Sequence, residues 1–279
     1  MIFSVSNRKK KSLLVFTDLD GTLLDHETYR FDDARPALQI LKEKKFPLII
    51  CSSKTRAEIE ACRSKLRLVH PFIAENGAAV FIPRNYFPFS FSHDRKDSHY
   101  FIIELGTSYS ELRAALEKIK RLFPRKIRGF GDLTAEETAR VCGFSLAQAS
   151  LAKKRDYDEP FILKDKKLEP EIEKAARSLR LKVTRGSRFY HLLGANDKGK
   201  AVSLLVDICR QTGNQFITIG LGDSLNDLPM LEAVDCPVLV QKPDGSYDPA
   251  VKLRNLSYAP APGPEGFRIS VLRLIDQFA

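Results

Sequence analysis

The string Val15-Phe16-Thr17-Asp18-Leu19-Asp20-Gly21-Thr22-Leu23-Leu24-Asp25 closes an apolar run with two carboxylates and then turns at a glycine. Ligands of open parallel sheets sit at the carboxyl ends of strands, which is where Asp18 and Asp20 fall. A second string, Ile219-Gly220-Leu221-Gly222-Asp223-Ser224-Leu225-Asn226-Asp227, repeats the design: apolar run, glycine turn, carboxylates, helix start. If the two runs are neighbouring strands, Asp223 faces Asp18 across the sheet edge. Three carboxyl groups with backbone oxygens suit magnesium, a hard cation that keeps several of its waters. Between the two strings, Ser52 follows the apolar run Leu48-Ile49-Ile50-Cys51 and offers a hydroxyl at a helix start. Its oxygen and the nearby N–H groups can hold a phosphoryl oxygen. Asn196-Asp197-Lys198-Gly199-Lys200 opens a further helix and supplies Lys198 as a fixed cation. Taken singly, Ser52 is an ordinary helix cap and Lys198 a solvated lysine. Their order with the two acidic strand ends makes the set a site for phosphate and metal.

The elements that must position these residues are legible as short apolar runs alternating with helical periodicity, the pattern of a parallel α/β sheet. Strands are predicted at 13–17, 46–51, 72–74, 79–82, 216–220 and 236–240, with helices at 32–45, 55–66, 198–210, 225–233 and 266–278. Between about Arg84 and Tyr190 the rhythm changes to mixed strands and helices without parallel alternation. The fold class is therefore α/β: a Rossmann-like parallel-sheet core, residues 1–83 and 191–279, interrupted by an α+β cap domain, residues 84–190. The Pro-rich stretch 259–264 reads as a stiff linker.

The chain has 279 residues and a formal net charge of +10. Residues 1–83 contribute +4, residues 84–190 contribute +8 and residues 191–279 contribute −2. The excess is spread over the insert rather than packed into an arm. Only Arg8-Lys9-Lys10-Lys11 forms a dense run, and it reads as a solvated tail. No nucleic-acid module is recognisable, so nucleic-acid binding is the non-enzymatic alternative and not the expectation. No apolar run approaches a membrane span, and the early basic residues argue against a cleaved signal peptide. Five cysteines without CxxC spacing fit neither a disulfide scaffold nor a zinc site, which points to a reducing cytoplasm.

At DLDGTLLD, Ser52, Lys198 and GDSLND the sequence resembles the haloacid dehalogenase-like phosphatase superfamily, along the whole chain. The resemblance implies covalent catalysis. Asp18 attacks phosphorus, while Asp20 protonates the leaving alcohol and then deprotonates water. Asp18, the backbone carbonyl of Asp20, and Asp223 hold Mg²⁺. Ser52 and Lys198 neutralise the phosphoryl oxygens, and Asp227, with Asn226 in support, orients Lys198 or a metal-bound water. In the insert, Arg128-Gly129-Phe130-Gly131-Asp132-Leu133, Tyr157-Asp158-Glu159-Pro160-Phe161 and Gly186-Ser187-Arg188-Phe189-Tyr190-His191 resemble the pattern of mannosyl-3-phosphoglycerate phosphatases. So do Ser53-Lys54-Thr55-Arg56-Ala57-Glu58 and Val240-Gln241-Lys242-Pro243-Asp244-Gly245, whereas Arg185-Gly186-Ser187-Arg188 replaces a more glycine-rich turn. This narrower resemblance implies hydrolysis of a small anionic sugar phosphate, mannosyl- or glucosyl-3-phosphoglycerate. Asn76, Arg128, Arg188, His191 and Asn226 are the expected substrate-binding residues. Other sugar-phosphate phosphatases and phosphomutases are the enzymatic alternatives.

Overall fold

The computed structural model describes residues 12–186 and 188–278; the basic tetrad at 8–11 and Ser187 lie outside them. Strand β1 (Ser12–Thr17) is buried on both faces, with Leu13 and Val15 in one core cluster and Leu14 and Phe16 in the other. A strand covered on both sides needs such a continuous apolar run. It is followed by α1 (Arg35–Glu43), β2 (Leu48–Cys51), α2 (Arg56–Leu66), β3 (Phe72–Ala74), β4 (Ala79–Pro83), β5 (Arg95–Lys96) and β6 (Tyr100–Glu104). The chain then runs through α3 (Tyr109–Leu122), β7 (Ile127–Gly129), α4 (Ala135–Cys142), α5 (Leu146–Ala152), β8 (Glu159–Leu163), α6 (Glu169–Ser178), β9 (Lys182–Arg185) and β10 (Tyr190–Leu193). It ends with α7 (Lys198–Arg210), β11 (Phe216–Gly222), α8 (Leu228–Glu232), β12 (Cys236–Gln241), β13 (Ser257–Pro262) and α9 (Gly263–Phe278).

Nine strands form one sheet in the order β13-β12-β11-β1-β2-β3-β4-β6-β5. From β13 to β3 neighbouring strands are parallel, and from β3 to β5 antiparallel. Helices α1, α2 and α9 cover one face, and α7 and α8 the other. The cap is a four-stranded antiparallel sheet, β7-β8-β10-β9, with its own core against α3 and α6. Among the described residues no helix is long and apolar enough to cross a membrane.

Two expectations are corrected. The expected boundaries of the cap at Arg84 and Tyr190 both move. Strands β5 and β6 pair with β4 in the core sheet, while β10 pairs with β8 and β9 in the cap. The insert thus starts after Glu104 and ends after Leu193. Local periodicity carries no information on which sheet a strand joins, so both limits were displaced. The expected linker at 259–264 is instead the edge strand β13 running into α9. An edge strand tolerates Pro260 and Pro262 because one row of its backbone groups needs no partner.

Candidate active site

Strands β1, β2 and β11 end side by side, so Asp18, Ser52 and Asp223 emerge on one edge of the sheet. The Asp18 N–H donates to the Leu221 carbonyl at 2.9 Å, continuing the β1–β11 ladder one residue beyond the strand. Helix α7 starts at Lys198 behind the N-cap Asp197, whose side chain accepts the Lys200 N–H. That start points the wholly buried Lys198 at the strand ends. Its Nζ lies 2.7 Å from Asp18 Oδ1 and 2.5 Å from Asp227 Oδ1. Asp227 Oδ2 accepts the N–H groups of Asp223 and Ser224, each at 3.0 Å. Both Asp227 oxygens are therefore spent on holding Lys198 and the turn after β11. Ser52 is buried, and its Oγ accepts the Lys54 N–H at 3.3 Å, just before the reciprocal Thr55–Glu58 cap of α2.

Charge is concentrated here. Oxygens of Asp18, Asp223 and Asp227 lie within 4.8 Å of one another, all three residues buried. Among the described residues the trio's ion pairs go to Lys198 alone, which leaves two negative charges in excess. Burial pushes the Asp18 carboxyl up to about 6, against the pull of Lys198. Burial, followed by Asp227 and Asp18, holds Asp223 well above the usual carboxylate range. Burial disfavours the Lys198 ammonium, yet Asp18 and Asp227 outweigh it and keep its pKa above the ordinary value. An all-oxygen donor set with two surplus negative charges fits a hard divalent cation. Gly21 makes the approach possible: at φ +76° it sits so close that a Cβ would meet Asp223 Oδ2 at 2.9 Å. The Asp20 side chain is not part of the trio. Its Oδ2 pairs with Lys54 Nζ at 2.8 Å, and its buried Oδ1 has no hydrogen-bond partner among the described residues.

Between this edge and the cap lies a partly open cavity of about 50 Å³, with Asp18, Asp20 and Asp223 on one side and Arg155, Arg188 and His191 on the other. Asn226 also lines the cavity and donates to Asn76 Oδ1 at 2.9 Å. Arg188 donates to the Cys142 carbonyl of the cap at 2.9 Å and to the His26 carbonyl of the core. Its guanidinium has no carboxylate partner among the described residues, unlike Lys54, Arg155 and Lys198. Two expected substrate ligands do not reach the cavity through free side chains. Arg128 shares a face of the cap sheet with Pro160 and His191, yet it is exposed outside the cavity because Glu137, in the first turn of α4, takes its guanidinium at 2.5 Å. Asn76 is buried with its carboxamide engaged at both ends, donating to Asp158 Oδ2 and accepting from Asn226. His191 reaches the cavity, with Nδ1 held 2.9 Å from Asp158 Oδ2.

Residues 15–245 match the haloacid dehalogenase-like hydrolase family. The chain belongs to that family. A glucosyl-3-phosphoglycerate/mannosyl-3-phosphoglycerate phosphatase of Methanococcoides burtonii is 49% identical over 265 residues, covering 95% of this chain and 97% of the relative. A mannosyl-3-phosphoglycerate phosphatase of Pyrococcus horikoshii is 39% identical over 229 residues, 81% of this chain and 90% of its own. In fold, the chain resembles a Synechocystis sucrose-phosphatase solved with sucrose and phosphate, at TM-score 0.60 and 14% identity, covering 96% and 98% of the two chains.

In this haloacid dehalogenase-like hydrolase the site contains side chains that sequence reasoning did not single out. Lys54 is buried between the Tyr29 and Phe144 rings, 5.1 and 5.3 Å from their centroids, and is paired with Asp20. Burial disfavours its charge, but Asp20 and Glu58 outweigh that and raise its pKa. Arg155 spans the two parts of the hydrolase, reaching the Ser53 carbonyl at 3.1 Å and Asp158 at 3.3 Å. The available signal for Lys54 was its place between Ser52 and a Thr-x-x-Glu cap. Arg155, on an irregular loop, had none.

Proposed function

We propose that this hydrolase is a Mg²⁺-dependent phosphatase that converts mannosyl-3-phosphoglycerate, or its glucosyl counterpart, to the glycosylglycerate and phosphate. One observation carries the reading. Asp18, which Lys198 ties to Asp227, lines one cavity together with Asp223 and Arg188, a cap guanidinium without an acidic partner among the described residues. A phosphoryl group suits the first and the glycerate carboxylate the second. The names of the close relatives support the same substrate class.

In this mechanism Lys198 occupies Asp18 Oδ1 and leaves the other oxygen for phosphorus. Asp18 forms an O–P bond as the bond to the leaving alkoxide breaks, and Asp20 gives that alkoxide its proton. Asp20 then takes a proton from water as the water oxygen displaces Asp18 from phosphorus. Lys54 orients Asp20 through its 2.8 Å ion pair. Ser52 and Lys198 hold phosphoryl oxygens, and Asp227 keeps Lys198 in place. Asp18, the Asp20 backbone carbonyl and Asp223 would hold Mg²⁺, which offsets phosphoryl charge when bound. His191 and Asn226 face the leaving group. We place the enzyme in the cytoplasm, where its five free cysteines stay reduced. Several of the cap's basic side chains are engaged by acidic neighbours, as in Arg113–Asp132, Lys120–Glu117 and Arg128–Glu137, so its positive charge is interspersed with negative charge, which speaks against a nucleic-acid face.

The test is phosphate release, with Mg²⁺, from mannosyl-3-phosphoglycerate, mannose 6-phosphate and 3-phosphoglycerate, with and without added sugar acceptor. The expected result is a preference for the glycosyl phosphoglycerate by about two orders of magnitude in kcat/KM. Equal turnover of mannose 6-phosphate, or transfer to the sugar in place of release, would refute the reading.

A further inference from the structure

The turn after β3 does more than reverse the chain. Glu75, Asn76 and Gly77 take consecutive left-handed conformations, φ +48°, +58° and +83°. Non-glycine residues hold such angles where the surroundings over-determine them. Here they do: Glu75 and Asn76 are each 1% exposed, and the backbone N–H and the side chain of both are hydrogen-bonded. Toward the core, the Glu75 N–H donates to the Lys54 carbonyl at 3.1 Å and the Asn76 N–H to the Ser52 carbonyl at 3.0 Å. The turn thus grips the segment that carries Ser52. It also touches both chain crossings into the cap. The Ala78 carbonyl accepts the Leu105 and Gly106 N–H groups at 2.7 and 3.0 Å, and the Asn76 carbonyl accepts Asn196 Nδ2 at 3.2 Å.

Toward the cap, the Glu75 carboxylate accepts the Asp156 N–H at 3.0 Å and the Tyr157 N–H at 2.8 Å. Asn76 donates to Asp158, and Asp158 in turn holds His191 Nδ1 at 2.9 Å and Arg155 at 3.3 Å. A continuous path therefore runs from the Ser52 carbonyl, through the turn, to Arg155 and His191, two cap side chains that line the cavity. Gly77 lies against the start of α7, where a Cβ would meet the Asp197 carbonyl at 2.1 Å, so the turn is seated beside Lys198 as well.

We infer that Glu75 and Asn76 are positioning residues that set Arg155 and His191 over the leaving group, and thereby determine substrate selection without taking part in the chemistry. The inference rests on the proposed role of the cap in reading the leaving group. Contacts at this pivot contrast with Arg188–His26 and Thr55–Leu151, which join core and cap away from the crossings.

The experiment compares mannosyl-3-phosphoglycerate with p-nitrophenyl phosphate, whose leaving group makes no use of hydroxyl or carboxylate recognition. Asn76→Gly suits the left-handed backbone and deletes both carboxamide links; Glu75→Ala deletes the carboxylate; Glu75→Gln retains one acceptor oxygen. Expected for Asn76→Gly and Glu75→Ala is a rise in KM for the glycosyl substrate of about tenfold to a hundredfold, the scale of a misplaced binding group. Turnover of p-nitrophenyl phosphate stays within about twofold, and Glu75→Gln recovers most of the lost KM. Equal losses on both substrates, or an unchanged KM in a folded Asn76→Gly protein, would overturn the inference. Should Glu75→Ala fail to fold, Asn76→Gly decides. A wild type without preference for the glycosyl substrate refutes the substrate reading instead; the same KM comparison is then made on whichever sugar phosphate it favours over p-nitrophenyl phosphate.

Discussion

Replacing Lys198 by Met removes the cation bonded to both Asp18 and Asp227 and keeps the length of the side chain. Lys198 is wholly buried, so water cannot replace it. Breaking a buried ion pair by deleting one partner costs about 3–5 kcal/mol, because a charge is left uncompensated. Two carboxylates lose their counter-ion here, which puts the expected loss at the upper end. The protein can lessen the cost by protonating Asp18, whose pKa burial already pushes up to about 6. Without Lys198 it rises further, so the variant's native state binds more protons than the wild type above pH 6. Its unfolding free energy then falls more steeply with pH, and the stability deficit widens from pH 6 toward pH 8. A protonated Asp18 is no nucleophile, and the loss of phosphoryl stabilisation alone is about a hundredfold to a thousandfold in kcat. Urea unfolding in EDTA at pH 5.5 and 7.5 measures the first effect, and phosphate release with Mg²⁺ the second. Adding Asp227→Asn removes one of the stranded charges and is expected to restore about 1–3 kcal/mol of stability but no activity. A Lys198→Met protein as stable as the wild type, or no recovery in the double variant, would refute the electrostatic account of this site.

Asp18→Asn is expected to lower kcat below about a ten-thousandth of wild type while leaving the circular dichroism spectrum unchanged, since an amide neither attacks phosphorus nor balances a divalent cation well. EDTA is expected to abolish phosphate release and Mg²⁺ to restore it, with Ca²⁺ much poorer because its larger, looser shell disturbs alignment; full activity after exhaustive chelation contradicts the metal assignment. Arg188→Ala is expected to cost about 2–5 kcal/mol in kcat/KM for a carboxylate-bearing substrate and far less for mannose 6-phosphate, and equal losses on both would show that Arg188 acts by closing the cap rather than by reading the carboxylate. His70, with Nδ1 2.8 Å from the Tyr86 hydroxyl, is held down to about 4 by burial and then by Arg63. The unfolded chain takes up that proton near pH 6.5 and the native state does not, so stability present above pH 6.5 is lost toward pH 4, by up to about 3 kcal/mol. His70→Gln is expected to flatten that part of the stability profile, as read by thermal unfolding between pH 4.5 and 7.

The chemistry at the sheet edge was legible in the sequence because it is written locally. Asp18, Ser52 and Asp223 each follow an apolar strand directly, and a parallel sheet brings such ends to one edge whatever the intervening chain does. Lys198 announces itself in the same way, at a helix start behind an acidic cap. The haloacid dehalogenase-like family and the α/β class followed from those short strings. Selection among the basic residues of the cap did not. Arg128 and Arg188 both sit in strings resembling one phosphatase pattern, yet Glu137 holds Arg128 on the surface while Arg188 joins the cap to the His26 carbonyl. Asn76 is spent on Asp158 and Asn226, 82 and 150 residues away in the chain. The pairing of Lys54 with Asp20 and of Glu75 with the 156–157 backbone likewise depends on segments far apart in sequence. Strand ends and caps are fixed by the few residues on either side of them, whereas the partner of a buried charge is whichever group the closed fold delivers, and only the packed chain decides that.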